Sequence, residues 1–308
     1  MMISIIIPLY NKEQSINLTL QSVLSQDYKD FEIIVVNDGS TDGSLEEVKK
    51  YQDKRLRCIT IENQGVANAR CVGIELARFE YIALLDGDDV WKPAYLSAML
   101  KLVEQCPNAA LYGCGYAFQY NDDGSLSIPH LCIDEGFSGY VMDYWNIAKD
   151  NTLFTSSSIL FSKAAYNQLG GFNRNLICGE DIDLWFRFAL NYPVAFLNTP
   201  LVIYRLQAEN RSDKKKIVGK EKSLIWNLGK YREYELSNSD FKKALDGWRM
   251  ANVIKFLNGN SYDIDDIRPI LKEVDLSNRS FIWNILSYVN PHLAPIIYKT
   301  YSLMKHII

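Results

Sequence analysis

Apolar and polar positions follow two alternating rhythms through the first third of the chain. Residues 3–9 (ISIIIPL), 31–38 (FEIIVVND), 56–62 (LRCITIE) and 81–85 (YIALL) are short apolar runs closed by turn residues. Such runs read as buried strands. The first is expected to stop at Pro8, where the chain loses an N–H. Between the runs, residues 16–24, 45–51 and 66–78 place apolar side chains at helical spacing. Strands alternating with helices predict a parallel α/β sheet. Ligands of such sheets sit beyond the carboxyl ends of the strands. Tyr10, Asp38 and Asp86 each lie at such an end and are expected to converge on one cleft.

The pattern changes after residue 108. Residues 109–120, 126–132 and 153–161 read as strands without regular helices between them, and 194–197 and 201–206 as two more. Residues 180–190 read as a helix opening with Glu180, Asp181 and Asp183. From Arg211 onward the chain is helical and richly charged. The expectation is an α/β fold with a mixed central sheet flanked by helices, then a C-terminal helical extension, divided near Ser212.

The stretch Tyr81–Pro93, YIALLDGDDVWKP, carries the most chemistry. Asp86, Asp88 and Asp89 end a buried strand, where three carboxylates repel one another unless a cation joins them. A divalent ion such as Mg²⁺ or Mn²⁺ takes oxygen ligands and leaves positions for phosphate oxygens. Gly87 lets the backbone turn so that Asp86 and Asp88 can face one cleft. The competing reading is a polar turn before a helix starting near Pro93, with Asp89 as its cap.

Composition narrows the classes. The chain has 308 residues, 48% hydrophobic and 23% charged, and a net charge of −4, which gives no support for nucleic-acid binding. Its six cysteines are scattered without a C-x-x-C pair and are expected as free thiols in a reducing cytoplasm. The run 3–9 is too short and lacks the basic start of a signal peptide, and no apolar stretch is long enough to span a bilayer.

Five motifs come in order: SIIIPLYNKEQS (4–15), VVNDGSTDGS (35–44), NQGVANAR (63–70), LLDGDD (84–89) and GEDIDLWFR (179–187). Over roughly residues 3–212 they resemble the family 2 glycosyltransferases, inverting enzymes with the GT-A-type nucleotide-diphospho-sugar transferase fold. The resemblance implies a nucleotide-binding half over 1–108 and an acceptor-binding half over 109–212, ahead of the helical region 213–308. It implies a nucleotide-sugar donor, a UDP-sugar, held by Pro8, Tyr10, Glu13, Asp38, Arg70, Asp86 and Asp88.

The individual roles are also what the resemblance implies. Tyr10 stacks on the nucleobase, or alternatively packs under a loop. Glu13 faces the ribose, or is an acid favoured at a helix start. Asp38 accepts an N–H of the base, or caps the turn at Gly39. Arg70 meets the nucleotide or its phosphates, or is an exposed helix arginine. Asp86 meets the ribose, and Asp88, with Asp86, binds Mn²⁺ or Mg²⁺ at the diphosphate. Asp181 is the general base for the acceptor hydroxyl, and Glu180 holds the acceptor or orients its neighbours. Both acids could instead be ordinary first-turn residues of a helix. Trp185 floors the acceptor pocket or belongs to the core.

One departure from the family pattern falls in YRLQAENRS (204–212), where Gln207 stands near an expected histidine. An amide is a poor replacement for imidazole on a metal, so either the metal has fewer protein ligands here, or Arg205, Arg211 or a lysine of 214–216 neutralises the diphosphate instead.

Other classes fit less well. A nicotinamide dehydrogenase needs G-x-G-x-x-G after the first strand, and a nucleotidyltransferase needs a glycine- and arginine-rich loop there. A non-catalytic carbohydrate or nucleotide-sugar binding module remains the alternative. By analogy alone, the setting is bacterial surface polysaccharide or lipopolysaccharide assembly on a glycan or lipid-linked glycan acceptor. The segment after Asp275 is rich in aromatic and apolar residues, with Arg279, Lys299 and Lys305 and no acid. It either lies in the headgroup layer of the membrane's inner face or packs on the catalytic domain.

Overall fold

The structure is a computed structural model that describes residues 1–120, 124–148, 153–210, 219–259 and 264–275. The first stretch is β1 (Ile3–Leu9), α1 (Ile16–Leu24), β2 (Phe31–Asp38), α2 (Ser44–Lys49), β3 (Leu56–Ile61), α3 (Val66–Leu76) and β4 (Tyr81–Leu84). These elements follow the hydrophobic rhythm closely. β1 runs past Pro8 to Leu9, one correction to the expected stop. Beyond Ile6, β1 pairs with β2 alone, so a residue lacking an N–H is tolerated there.

The middle departs further from expectation. It comprises β5 (Val90–Trp91), α4 (Tyr95–Gln105), β6 (Leu111–Gln119), β7 (Leu126–Ser127), β8 (Ser138–Tyr140), α5 (Tyr144–Ala148), β9 (Ile159–Ser162), α6 (Lys163–Gln168), α7 (Glu180–Asn191) and β10 (Val194–Arg205). The expected strand 126–132 shrinks to the two residues of β7. The expected strand 153–161 becomes a turn of 3₁₀ helix at Ser156–Ser158, followed by β9. Its hydroxyls compete for the backbone: the Thr155 N–H donates to Ser158 Oγ at 2.9 Å. The two expected strands after residue 194 are one, because bulges on either side of Pro200 absorb its missing donor. Asp89 precedes β5 and does not cap α4, whose N-cap position is Ala94.

Among the described residues, the ten strands join one mixed sheet, in the order β3-β2-β1-β4-β9-β6-β10-β5, with β7 on β6 and β8 on β10. β3, β2, β1 and β4 are mutually parallel neighbours. Their carboxyl ends therefore fall along one edge, which is where Tyr10, Asp38 and Asp86 emerge. β9 is antiparallel to β4 and β6, and β10 is parallel to β6.

One sheet face is sealed by α1 and α4. Ile3, Ile5, Ile7 and Leu9 of β1 enter this core with Ile16, Leu20, Val23, Leu96 and Met99, all fully buried. Each such side chain contributes about 1.5–3 kcal/mol. On the opposite face α3 presses on β1. A Cβ added at Gly73 would come 2.4 Å from Ile6 Cγ2, so only glycine allows this approach.

The chain divides into two compact units, Met1–Tyr144 with Thr152–Lys215, and Trp145–Asn151 with Lys216–Ile308. The expected boundary at Ser212 lies outside the described residues. The second unit contains α8 (Arg232–Ser237), α9 (Ser239–Gly259) and α10 (Ile264–Glu273). Arg249 of α9 is buried and paired with both oxygens of Glu235, at 2.8 and 2.9 Å, and with Asp246 at 3.0 Å. Breaking such a buried network from one side costs about 3–5 kcal/mol. Among the described residues no helix is long and apolar enough to cross a membrane. The segment expected to meet a membrane surface lies outside them.

Candidate active site

The donor side of the site is built from loops at the carboxyl edge of β1, β2 and β4. Asn11 leaves β1 in the left-handed region, at φ 51°, which asparagine tolerates better than most residues. Its N–H donates to Ser40 Oγ at 3.1 Å, and its Oδ1 accepts from the Thr41 N–H at 2.8 Å. The loops after β1 and β2 are thus tied together.

Glu13 serves the same junction. Its Oε2 accepts the Gly43 N–H at 3.1 Å, a contact that neither reading of the sequence anticipated. Asp38 is buried at the end of β2, and its two oxygens accept the N–H groups of Gln64 and Gly65, each at 2.9 Å. It caps the loop that opens α3, not the turn at Gly39. An ionised carboxylate has about four acceptor positions, so capacity for a further donor remains. Pro8 lies within β1, and Tyr10 follows it half-buried.

Arg70 corrects the alternative of an exposed helix arginine. It is 3% exposed and joins the two acid motifs. Nη2 donates to Asp86 Oδ1 at 2.7 Å, and Nη1 donates to Glu180 Oε1 at 3.0 Å. Its guanidinium carbon lies 5.6 Å from the Phe172 ring centre. Burial opposes its charge, but Asp86, Glu180 and Asp181 more than compensate, so its pKa is raised.

α7 presents the second acid motif. Its N-cap Gly179 has φ 77°, a conformation that favours glycine. Glu180, Asp181 and Asp183 occupy the first turn, where the helix dipole favours negative charge. Asp181 is half-buried, and its Oδ1 accepts the Ile182 N–H at 2.7 Å. Burial and the charge of Asp181 raise the Glu180 pKa from 4.5 to about 8, with Asp86 adding to this and Arg70 opposing it. Asp183 has a different task. It is fully buried and holds Arg187 at 2.8 Å, while Arg187 donates to the carbonyls of Leu169 and Gly171. Trp185 is buried against Phe154, Phe161 and Phe172, which makes it a core residue.

The acids after β4 have separate partners. The Asp86 N–H donates to Ser157 Oγ at 3.0 Å, and that hydroxyl donates to Asp89 Oδ2 at 2.5 Å. Asp89 is 1% exposed, and Oδ1 accepts the Arg205 N–H at 3.3 Å. Burial and the charges of Asp88 and Asp86 push its carboxyl well above the ordinary range. Asp88 Oδ2 lies 2.6 Å from Lys12 Nζ, a partner that the sequence reading did not single out.

As arranged, these residues do not fit a divalent ion. Asp86 is paired with Arg70 and Asp88 with Lys12. Among the described residues no three His, Cys, Asp or Glu side chains form a group that could hold a metal. An ion taking Asp88 would first have to displace an ammonium. Gln207 is exposed, Arg205 Nη1 donates to Ser15 Oγ at 3.3 Å, and Arg211 and 214–216 lie outside the described residues.

Comparison with known proteins agrees with this architecture. The chain is 27% identical over 282 residues to an uncharacterized glycosyltransferase of Rickettsia felis, covering 90% of this chain and 45% of that protein. It is also 27% identical over 304 residues to an uncharacterized glycosyltransferase of Haemophilus influenzae, covering 90% of this chain and 82% of that one. The chain spans less than half the length of some curated relatives, 45% and 44% for those of Rickettsia felis and Rickettsia conorii. Among solved structures, S. aureus TarS 1-349 in complex with UDP-GlcNAc superposes with a TM-score of 0.72 at 18% identity, covering 98% of this chain and 92% of TarS 1-349. That likeness establishes the GT-A-type fold. Residues 4–170 match the sequence profile of Glycosyl transferase family 2, and the chain belongs to that family.

Proposed function

We propose that the chain transfers a sugar from a nucleoside-diphosphate donor, a UDP-sugar, to a hydroxyl of a growing glycan with inversion at the anomeric carbon. The observation that carries this reading is the pair of hydrogen bonds donated by Arg70. It joins Asp86 on the donor edge to Glu180 at the start of α7, so the two acid motifs share one site. Asp181, the neighbour of Glu180 and only half-buried, is the general base.

In this reading Asp181 takes the proton of the acceptor hydroxyl as its oxygen attacks the anomeric carbon. The bond from that carbon to the phosphate oxygen breaks, and its electron pair leaves with the nucleoside diphosphate. A base on the side of the anomeric carbon opposite the leaving group gives inversion in a single displacement. Arg70 holds the base's neighbour at a fixed distance from the donor acids, which supports the alignment that such a displacement needs. Mn²⁺ or Mg²⁺, expected from the family, enters this reading only as a competitor with Lys12 for Asp88.

That TarS was solved with UDP-GlcNAc supports trying UDP-sugars first. A glycan or lipid-linked glycan of a bacterial surface polysaccharide is the proposed acceptor class, on analogy with the family. The test is a panel of UDP-, GDP-, ADP- and dTDP-sugars assayed for nucleoside diphosphate release. Nuclear magnetic resonance of any glycoside formed then reads its anomeric configuration. Retention at that carbon would overturn the single displacement. Binding of a nucleotide sugar without any turnover would favour the binding-module alternative.

A further inference from the structure

We propose that Lys12 is the cation of the diphosphate site, placed to meet the charge of the leaving nucleoside diphosphate. This rests on the donor reading above and asks which group supplies the positive charge. Lys12 is not an ordinary surface lysine, since its side chain is 11% exposed. Its ammonium is held among oxygens, 2.6 Å from Asp88 Oδ2 and also donating to the carbonyls of Glu209 and Asn210.

The chain around it is fixed from both sides. The segment leaving β10 returns across the loop after β1. There the Glu209 carboxylate accepts the Gln14 N–H at 3.0 Å, the Ser15 N–H at 3.1 Å and the Ser15 hydroxyl at 2.6 Å. Asn210 Nδ2 donates to the Tyr10 carbonyl at 3.0 Å. The Lys12 backbone N–H donates to Ser44 Oγ at 2.7 Å.

Position along the site argues the role. Lys12 follows Tyr10 by two residues, on the loop where the base is expected. Its partner Asp88 follows Asp86 by two residues, and Asp86 leads through Arg70 to Glu180 and Asp181. The Lys12–Asp88 pair is thus linked by sequence neighbours to Tyr10 on one side and to Asp86 on the other, between the residues expected at the base and those expected at the transfer end, where a diphosphate belongs. One of the ammonium's contacts, the Asn210 carbonyl, is a long 3.4 Å. Exchanging a neutral carbonyl for a phosphate oxygen gives a stronger, charge-assisted hydrogen bond. Asp88 orients the ammonium while no donor is bound.

Calorimetry on the full chain, with UDP as the first of a set of nucleoside diphosphates, tests this in EDTA and in Mn²⁺. Wild type is expected to bind in EDTA within about threefold of its affinity in Mn²⁺. Lys12→Met should weaken binding in EDTA by about tenfold or more, the loss of a charged hydrogen bond. Lys12→Arg should recover most of that loss. Wild-type binding only in Mn²⁺ overturns the proposal and leaves the donor reading standing, with no need for a variant. Equal binding by Lys12→Met and wild type in EDTA overturns it too, and leaves Lys12 as a tie for residues 209–210. If wild type binds no nucleoside diphosphate with or without Mn²⁺, the donor reading fails and takes this proposal with it.

Discussion

Arg70 and Glu180, 110 residues apart in sequence, meet at 3.0 Å in the interior of the first unit. The contact links α3, which opens on the donor edge, to the helix that carries the proposed base. This buried arginine cannot be removed without taking the hydrogen-bond donor from both Asp86 and Glu180. Arg70→Ala is expected to cost about 3–5 kcal/mol in chemical denaturation. Arg70→Lys keeps a charge but cannot fork to both acids. It should fold, and its turnover should fall further than its stability. Wild-type turnover by Arg70→Lys would show that the fork has no part in alignment.

Glu180 sets a dependence of stability on pH. Its carboxyl is pushed up from 4.5 to about 8 by burial, by the charge of Asp181 and, to a smaller extent, by that of Asp86, against the opposing charge of Arg70. The folded state therefore binds this proton more tightly than the unfolded state does. The stabilisation is complete below the ordinary value and is lost as pH rises through the folded value. Thermal unfolding followed across that interval should show wild type losing stability as Glu180 ionises. Glu180→Gln, which carries no titrating proton, should lose less, and the gap should be widest above pH 8. Parallel curves for the two proteins would mean that Glu180 is ionised throughout.

The close approach of α3 to β1 is open to a double-mutant cycle. Gly73→Ala places a methyl 2.4 Å from Ile6 Cγ2 and should destabilise by about 1–3 kcal/mol. In an Ile6→Ala background the same change should cost clearly less, because the obstructing methyl is gone. Additive costs in urea unfolding would locate the strain elsewhere.

Much of the fold is legible in the chain because its signals are local. The alternation of β-branched runs and helical spacing marks β1 to β4 and their helices, and the parallel arrangement then puts Tyr10, Asp38 and Asp86 on one edge. The failures have local causes too, in the hydroxyls of 155–158 and in Pro200, where side chains or a missing donor redirect the backbone. The site was legible as a set of acids and not as a set of pairs. Lys12 reaches Asp88 across 76 residues and Glu209 across 197, and nothing in the local pattern announces either contact. Glu13 and Asp38 stood out as ligand contacts, yet each also closes a loop against backbone N–H groups. Polar residues at strand ends often do both, and sequence alone does not rank the two tasks.

The central claim is that Asp181 removes the acceptor proton in a site that Arg70 ties to the donor edge. Asp181→Asn keeps the shape of the side chain and cannot take the proton. Donor binding by calorimetry and transfer of the sugar should be measured on the same preparation of this variant. The account predicts unchanged donor affinity and a transfer rate lower by about 10²–10⁴. Transfer within a few-fold of wild type would contradict it and leave Asp181 as a first-turn acid of α7.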